Sequence, residues 1–277
     1  MSRIAVSLLF PWLFAGAIVA LPDPIRPDPA TPRPIAAVDS VFIENLTWME
    51  VRDALKSGQD TVIVATGGVE QNGPYLVTGK HNVVLRGTTE AIARKLGKTL
   101  VAPIVPFVPE GDIDPPTQHM LYPGTISVSE ATFEALLADI CASLNTHGFR
   151  RIVLIGDSGG NQAGMKAVAE RLGKEWQGKC RVLFIPEYYD FSAVTKWLES
   201  QGIKQTPEGL HDDFGMTAQI LAVEPQAARM NERIKAGKFK INGVDLAPAD
   251  KAIEWGRRII DLRADITVKA IQKASQP

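Results

Sequence analysis

Four short segments of this 277-residue chain concentrate side chains able to move protons, hold cations or attack a carbonyl. The first runs Glu70-Gln71-Asn72-Gly73-Pro74-Tyr75 and continues to Lys80-His81-Asn82. The second opens with Glu110-Gly111-Asp112 and leads through Gln118-His119 to Tyr122-Pro123-Gly124-Thr125-Ile126-Ser127. The third is Gly156-Asp157-Ser158-Gly159-Gly160-Asn161, and the fourth Gly209-Leu210-His211-Asp212-Asp213. Imidazoles titrate near neutrality and suit proton transfer, whereas carboxylate oxygens and imidazole nitrogens together suit a catalytic metal ion. The third segment also fits Gly-x-Ser-x-Gly in the strand-to-helix setting of a nucleophile elbow. Asp190 and His211 follow it in the chain order Ser, Asp, His of α/β-hydrolases. In that reading Ser158 is a nucleophile. The plainer reading is a glycine-rich turn whose backbone N–H groups face an anion or a carbonyl.

Three of the segments follow strand-like runs. Thr61 to Thr66 is a continuous β-branched apolar run, as expected for a strand covered on both faces. Leu100 to Val105, Ile152 to Ile155 and Val182 to Pro186 are the next strand-like runs. Helical spacing of apolar residues covers Val83 to Leu96, Ser129 to Thr146, Asn161 to Lys174 and the tail from Pro248 to Lys273. Ser129, with Glu130 or Thr132, can cap the second of these helices. The alternation predicts a three-layer α/β/α sandwich with a mostly parallel central sheet. Such sheets bind ligands at the carboxyl ends of their strands, which is where the polar segments fall. No internal repeat and no second domain is evident.

With 45% hydrophobic and 22% charged residues and a net charge of −1, the composition is globular. The basic residues are dispersed, which excludes the electrostatic footprint of a nucleic-acid partner. Residues 1–20 have the layout of a signal peptide: Arg3, an uncharged run from Ile4, and small residues at Ala15, Gly16, Ala17 and Ala20. Cleavage is expected after Ala20. An uncleaved anchor is the alternative, since the run is close to the shortest spanning helix, but Pro11 and the following prolines favour cleavage. The mature chain is then periplasmic or secreted, with no membrane attachment. Residues 21–39 are Pro-rich and read as an extended arm or linker; the folded body is expected over residues 40–277. Cys141 and Cys180 are compatible with export without demanding a disulfide, and burial as small hydrophobes accounts for both.

In their order, the segments resemble the creatininase (creatinine amidohydrolase) family. That family carries Glu-x-His-Gly-Pro-His-Leu with an Asp eleven residues after the Glu. It continues with His-x-x-Phe-Pro-Gly-Thr, Gly-His-Gly-Gly-Asn and a late His-Ala-Gly leading to Glu-Thr-Ser. Glu70, Gly73, Pro74 and Leu76 match the first element, and His119 with Tyr122 to Ser127 matches the second. Gly159-Gly160-Asn161 matches the third, and His211 with Thr217 the fourth. The resemblance implies a creatininase-like fold, a small-molecule substrate, hydrolysis of an amide or cyclic amide, and a homo-oligomer, often hexameric. It makes His211 the proton shuttle, places His119 in the site, and puts Asn72, Tyr75, Gly159, Gly160 and Asn161 near substrate.

The departures fall on the metal ligands. Asn72 stands for the family His, His81 for the bridging Asp, Ser158 for the loop His and Met216 for the late Glu. Two outcomes stay open. In one, the site is re-coded around Glu70, His81 and Asp157, with Asp213 or Asp212 completing it, and holds one divalent ion, zinc first. In the other the metal is lost, leaving a Ser158 hydrolase or an inactive small-molecule-binding protein on the same scaffold.

Overall fold

The computed structural model describes residues 25–206 and 211–276. The expected leader lies outside them, as do Gly209 and Leu210. The described residues fall into two units, divided between Ala36 and Ala37. Residues 25–36 contain turns but neither helix nor strand; the second unit carries the fold.

Strand β1 (Thr61–Thr66) is buried along its whole length, as its unbroken apolar run requires. It lies inside a four-stranded sheet of order β2 (Thr99–Val101), β1, β3 (Arg151–Gly156), β4 (Arg181–Phe184). Every pairing is parallel, and β1 runs beside β3 from Thr61 opposite Arg151 to Thr66 opposite Gly156. Alternate residues point to opposite faces. Val62, Val64, Ile152 and Leu154 pack under Phe133, Leu137 and Cys141 of α3 (Glu130–His147) and Met165, Val168 and Leu172 of α4 (Gln162–Glu175). Helix α1 (Trp48–Lys56) adds Val51, Ala54 and Leu55 to that side. Ile63, Ala65, Val153 and Ile155 face Leu85 and Ile92 of α2 (Lys80–Leu96) and Ala264, Val268 and Ile271 of α8 (Ala249–Ala274). The result is the three-layer α/β/α sandwich with a parallel sheet.

A further apolar cluster joins α5 (Ser192–Ser200), α6 (Phe214–Val223) and the first half of α8. Helix α7 (Met230–Lys235) and a small antiparallel hairpin, β5 (Lys240–Ile241) with β6 (Val244–Asp245), complete the unit. Neither the hairpin nor α6 was anticipated from periodicity. Three expected boundaries also shift. Strand β2 ends at Val101, because Pro103 lacks a ladder donor, and Val105 rejoins only as an isolated bridge to Thr66. Helix α2 begins at Lys80, three residues before its apolar pattern. Strand β4 stops at Phe184, and Pro186 opens a 3-10 turn instead. Cys141 and Cys180 are both free and buried.

Candidate active site

The site is built at the carboxyl ends of β1 and β3. After β1, the chain loops through Glu70 and returns at Lys80, the first residue of α2. Glu70 N donates to Thr78 O at 3.0 Å. Asn72 Nδ2 braces the same loop by donating to the carbonyls of Glu70, Val77 and Thr78 at 2.9, 3.1 and 3.3 Å. This loop closure presses the first turn of α2 against the Glu70 carboxylate, which is 1% exposed.

Glu70 is the hub. Its Oε1 lies 2.8 Å from His81 Nε2, 2.9 Å from His211 Nδ1 and 3.4 Å from Lys80 Nζ; its Oε2 lies 3.2 Å from His119 Nε2. Burial opposes ionisation of Glu70. The hydrogen bonds from His211 and His81 and the charges of His81 and Lys80 outweigh it and hold the carboxyl well below its usual range. Lys80 is 3% exposed and also donates to His211 O at 2.9 Å. Burial pulls its ammonium below the ordinary value, while Glu70 and Asp157 oppose the shift.

Behind Glu70 runs a buried chain of alternating charge. His81 Nδ1 meets Asp157 Oδ2 at 2.8 Å, and Arg263 Nη2 donates to Asp157 Oδ1 at 2.7 Å. Arg263, on α8, further donates to Gln219 Oε1 at 3.0 Å and Tyr188 O at 3.2 Å, and lies over the Tyr188 and Phe191 rings. Burial disfavours each charge. It is outweighed by Arg263 and His81 at Asp157, which is lowered, and by the two carboxylates at His81, which is raised. With a carboxylate on each ring nitrogen, His81 is an imidazolium with no lone pair left for a metal.

His119 and His211 form the open side. Gln118, at φ +51°, turns the chain into His119. The two imidazoles stack with centroids 4.6 Å apart and planes 26° from parallel, and the His211 side chain is 40% exposed. Burial lowers His119, and its Nδ1 is buried without a partner. Glu110 closes the floor beside Gly68, where a Cβ would come within 2.1 Å of Glu110 Oε1. Burial, with the Glu70 carboxylate beside it, pushes Glu110 up to about 9, so it is a neutral acid at pH 7. Its Oε1 is buried without a partner.

The expected metal set is therefore rearranged. Glu70, His81 and Asp157 do come together, but His81 and Asp157 are committed to ion pairs. Asp213 lies at the cap of α6, where Oδ1 accepts from Met216 N at 2.6 Å, and Asp212 pairs with Arg233. Among the described residues, one group brings metal-ligating atoms within 4.8 Å of one another: Glu70, His119 and His211. The expected substrate contacts at Asn72 and Asn161 meet a similar obstacle. Asn161 Nδ2 is committed to Thr66 O, Thr66 Oγ1 and Gly67 O at 2.9–3.0 Å, and Asn72 Nδ2 to its loop. Tyr75 lies under the Arg233 guanidinium, 4.6 Å from ring centroid to Cζ. Gly160 passes so close to Pro109 O that a Cβ would stand 2.3 Å from it, and Gly159 faces the Tyr189 hydroxyl. Ser158 is buried, and no hydrogen bond joins it to a histidine among the described residues. His211 bonds toward Glu70, Gln71 and Lys80, and Asp190 accepts from Ser192 N on the surface. The Ser-Asp-His triad is not assembled.

A family profile described as creatinine amidohydrolase matches residues 44–271. The chain belongs to the creatininase family. Among curated relatives of this family member, the 3-dehydro-scyllo-inosose hydrolase of Thermotoga maritima is 26% identical over 186 residues, 67% of this chain and 57% of that protein. The creatinine amidohydrolase of Pseudomonas putida is 26% identical over 116 residues, 42% of this chain and 44% of that protein. The chain thus spans about half the length of these curated relatives. A solved creatininase superposes with a TM-score of 0.61 at 21% identity, covering 87% of this chain and all of that one. Solved creatininases at the same TM-score and identity include a zinc–zinc form and a manganese form. The family likeness and the Glu70, His119, His211 group support a divalent metal. The donors fit one ion: two imidazoles and a carboxylate, with the His119 Nδ1 and Glu110 Oε1 polar atoms still without partners.

Glu110 and Lys80 stood in the polar segments without an assigned role. Arg263 was missed, although it falls on the buried stripe Ile259, Arg263, Thr267 of α8 at i, i+4 spacing.

Proposed function

We propose that this chain hydrolyses a small amide or cyclic amide with the help of one divalent cation, zinc first, held by Glu70, His119 and His211. The convergence of those three ligand atoms within 4.8 Å at the carboxyl ends of a parallel sheet carries the reading. Glu70, His119 and His211 would hold the ion, which would supply Lewis-acid activation of a carbonyl oxygen and of water when bound. His81 holds the Glu70 carboxylate in place through its Nε2. Asp157, fixed by Arg263, orients His81 from behind. His211, engaged through Nδ1, holds the ion in this reading, in place of the proton-shuttle role expected from the family. Relatives named as hydrolases, one an amidohydrolase, support the reaction class, and a solved creatininase complexed with creatine supports a small substrate.

The decisive measurement is metal content of the purified mature chain, alongside turnover of creatinine and a panel of lactams and hydantoins, before and after chelation. Bound metal near one per chain, with activity lost on chelation and in His119→Ala and His211→Ala, is the expected result. Activity that persists in metal-free protein would falsify the metal reading. From the leader-like layout of residues 1–20 and the family resemblance, we propose further that the mature chain is periplasmic or secreted and a homo-oligomer, a hexamer by that resemblance. A monomer by light scattering at micromolar concentration removes the oligomer, and recovery of an unprocessed chain from the cytoplasm removes the export.

A further inference from the structure

We infer that the Lys80 ammonium is a built-in competitor for the cation place at Glu70, so that a divalent ion binds Glu70, His119 and His211 only as Lys80 withdraws. The inference rests on the metal reading above and goes beyond it by saying what regulates occupancy. Lys80 Nζ stands 3.4 Å from Glu70 Oε1 and 3.3 Å from His211 Nδ1, two atoms of the candidate ligand group, and is anchored on His211 O at 2.9 Å. An ammonium carries donors and no lone pair, so it cannot share those atoms with a metal as a further ligand. It meets the metal only as a like charge.

Two features sharpen the conflict. Lys80 is 3% exposed and sits in the first turn of α2, so its head group is held against the site by the helix and not by chance contact. His81, one residue on, brings its Nε2 to the same Oε1 at 2.8 Å. Glu70 Oε1 is thus already engaged from within, and a metal ion must displace part of that engagement. Besides Glu70, the carboxylates of Asp157 and Asp213 act on the Lys80 charge. Asp157 is engaged by His81 and Arg263. The same count limits the ion number. With His81 and Asp157 engaged, three donors remain, enough for one ion and too few for two.

The test is calorimetric titration of metal-free mature protein and of Lys80→Met and Lys80→Arg with zinc and manganese salts. Weak one-to-one binding by the parent chain is expected. Lys80→Met should bind tighter by about tenfold or more, the scale on which groups around a metal tune its affinity, and Lys80→Arg should gain nothing. Equal or weaker binding by folded Lys80→Met overturns the competitor and leaves the metal reading standing. Absence of binding by both the parent and Lys80→Met overturns the metal reading with it. A second measurement needs no variant: amine acylation followed by peptide mapping. Lys80 in the parent chain should be modified at least about tenfold faster with zinc present than after chelation. An unchanged rate in metal-bound protein overturns the withdrawal.

Discussion

Asp157 carries the clearest consequence of a single side chain. Its carboxylate is buried and accepts from Arg263 and His81, both also buried. Removing one member of a buried, hydrogen-bonded ion pair leaves the other charge uncompensated and costs about 3–5 kcal/mol. Asp157→Asn is therefore expected to lower unfolding stability by that order in urea at pH 7, without changing the transition slope. The pH dependence has a definite sign. The folded-state pKa of Asp157 lies below the ordinary 3.8. Its contribution is then fully present above about pH 4 and is lost as pH falls through the folded value. The stability gap between parent and Asp157→Asn should narrow as pH falls below about 4. A gap that widens below pH 4 would contradict the assignment. Arg263→Gln should show a loss of the same order at pH 7, and the double variant should lose less than the sum.

At the scale of elements, two glycines in helices give opposite expectations. Gly256 in α8 lies against α6, where a Cβ would stand 1.9 Å from Ala218 O, a backbone atom that cannot swing aside. Gly256→Ala must push apart the helices that carry Arg263 and Gln219, at a cost of about 1–3 kcal/mol. Gly173 in α4 has nothing within 4 Å of a Cβ, so Gly173→Ala should stabilise by up to about 1 kcal/mol. Thermal melts of the two variants check both signs. The same elements show what the sequence made legible. β1 was readable residue for residue because a doubly covered strand is an unbroken apolar run. The start of α2 was not, because Lys80, His81 and Asn82 break the apolar pattern and place two cations at a helix N-terminus, against the macrodipole. Glu70 and the Asp157 carboxylate compensate that misfit, which only the folded chain brings together. Local rules broken in this way mark functional sites. Glu70, His119 and His211 were each legible, but their grouping was not, since only the folded chain brings the turn after Gln118 and the segment ahead of α6 together on the Glu70 carboxylate.

At the scale of the whole molecule, the two thiols report on the sandwich itself. Cys141, in the middle of α3, is fully buried against the sheet, and Cys180, just before β4, belongs to the same cluster. Burial, with Cys180 adding to it, pushes the Cys141 thiol up to about 12. The thiolate is the reactive form, so at pH 8 the native protein presents Cys141 neither as an accessible group nor as a nucleophile. Reaction requires the α3 layer to leave the sheet, and that layer is part of the main core. Iodoacetamide at pH 8 should accordingly leave Cys141 unmodified over hours in native protein and alkylate both cysteines promptly in guanidinium. In intermediate urea the rate at Cys141 should follow the global unfolding constant measured by circular dichroism, as expected for a group exposed only by cooperative opening. Alkylation of Cys141 in native buffer at the rate of a free thiol would mean that α3 opens alone, and that the layers of this fold are not one cooperative unit.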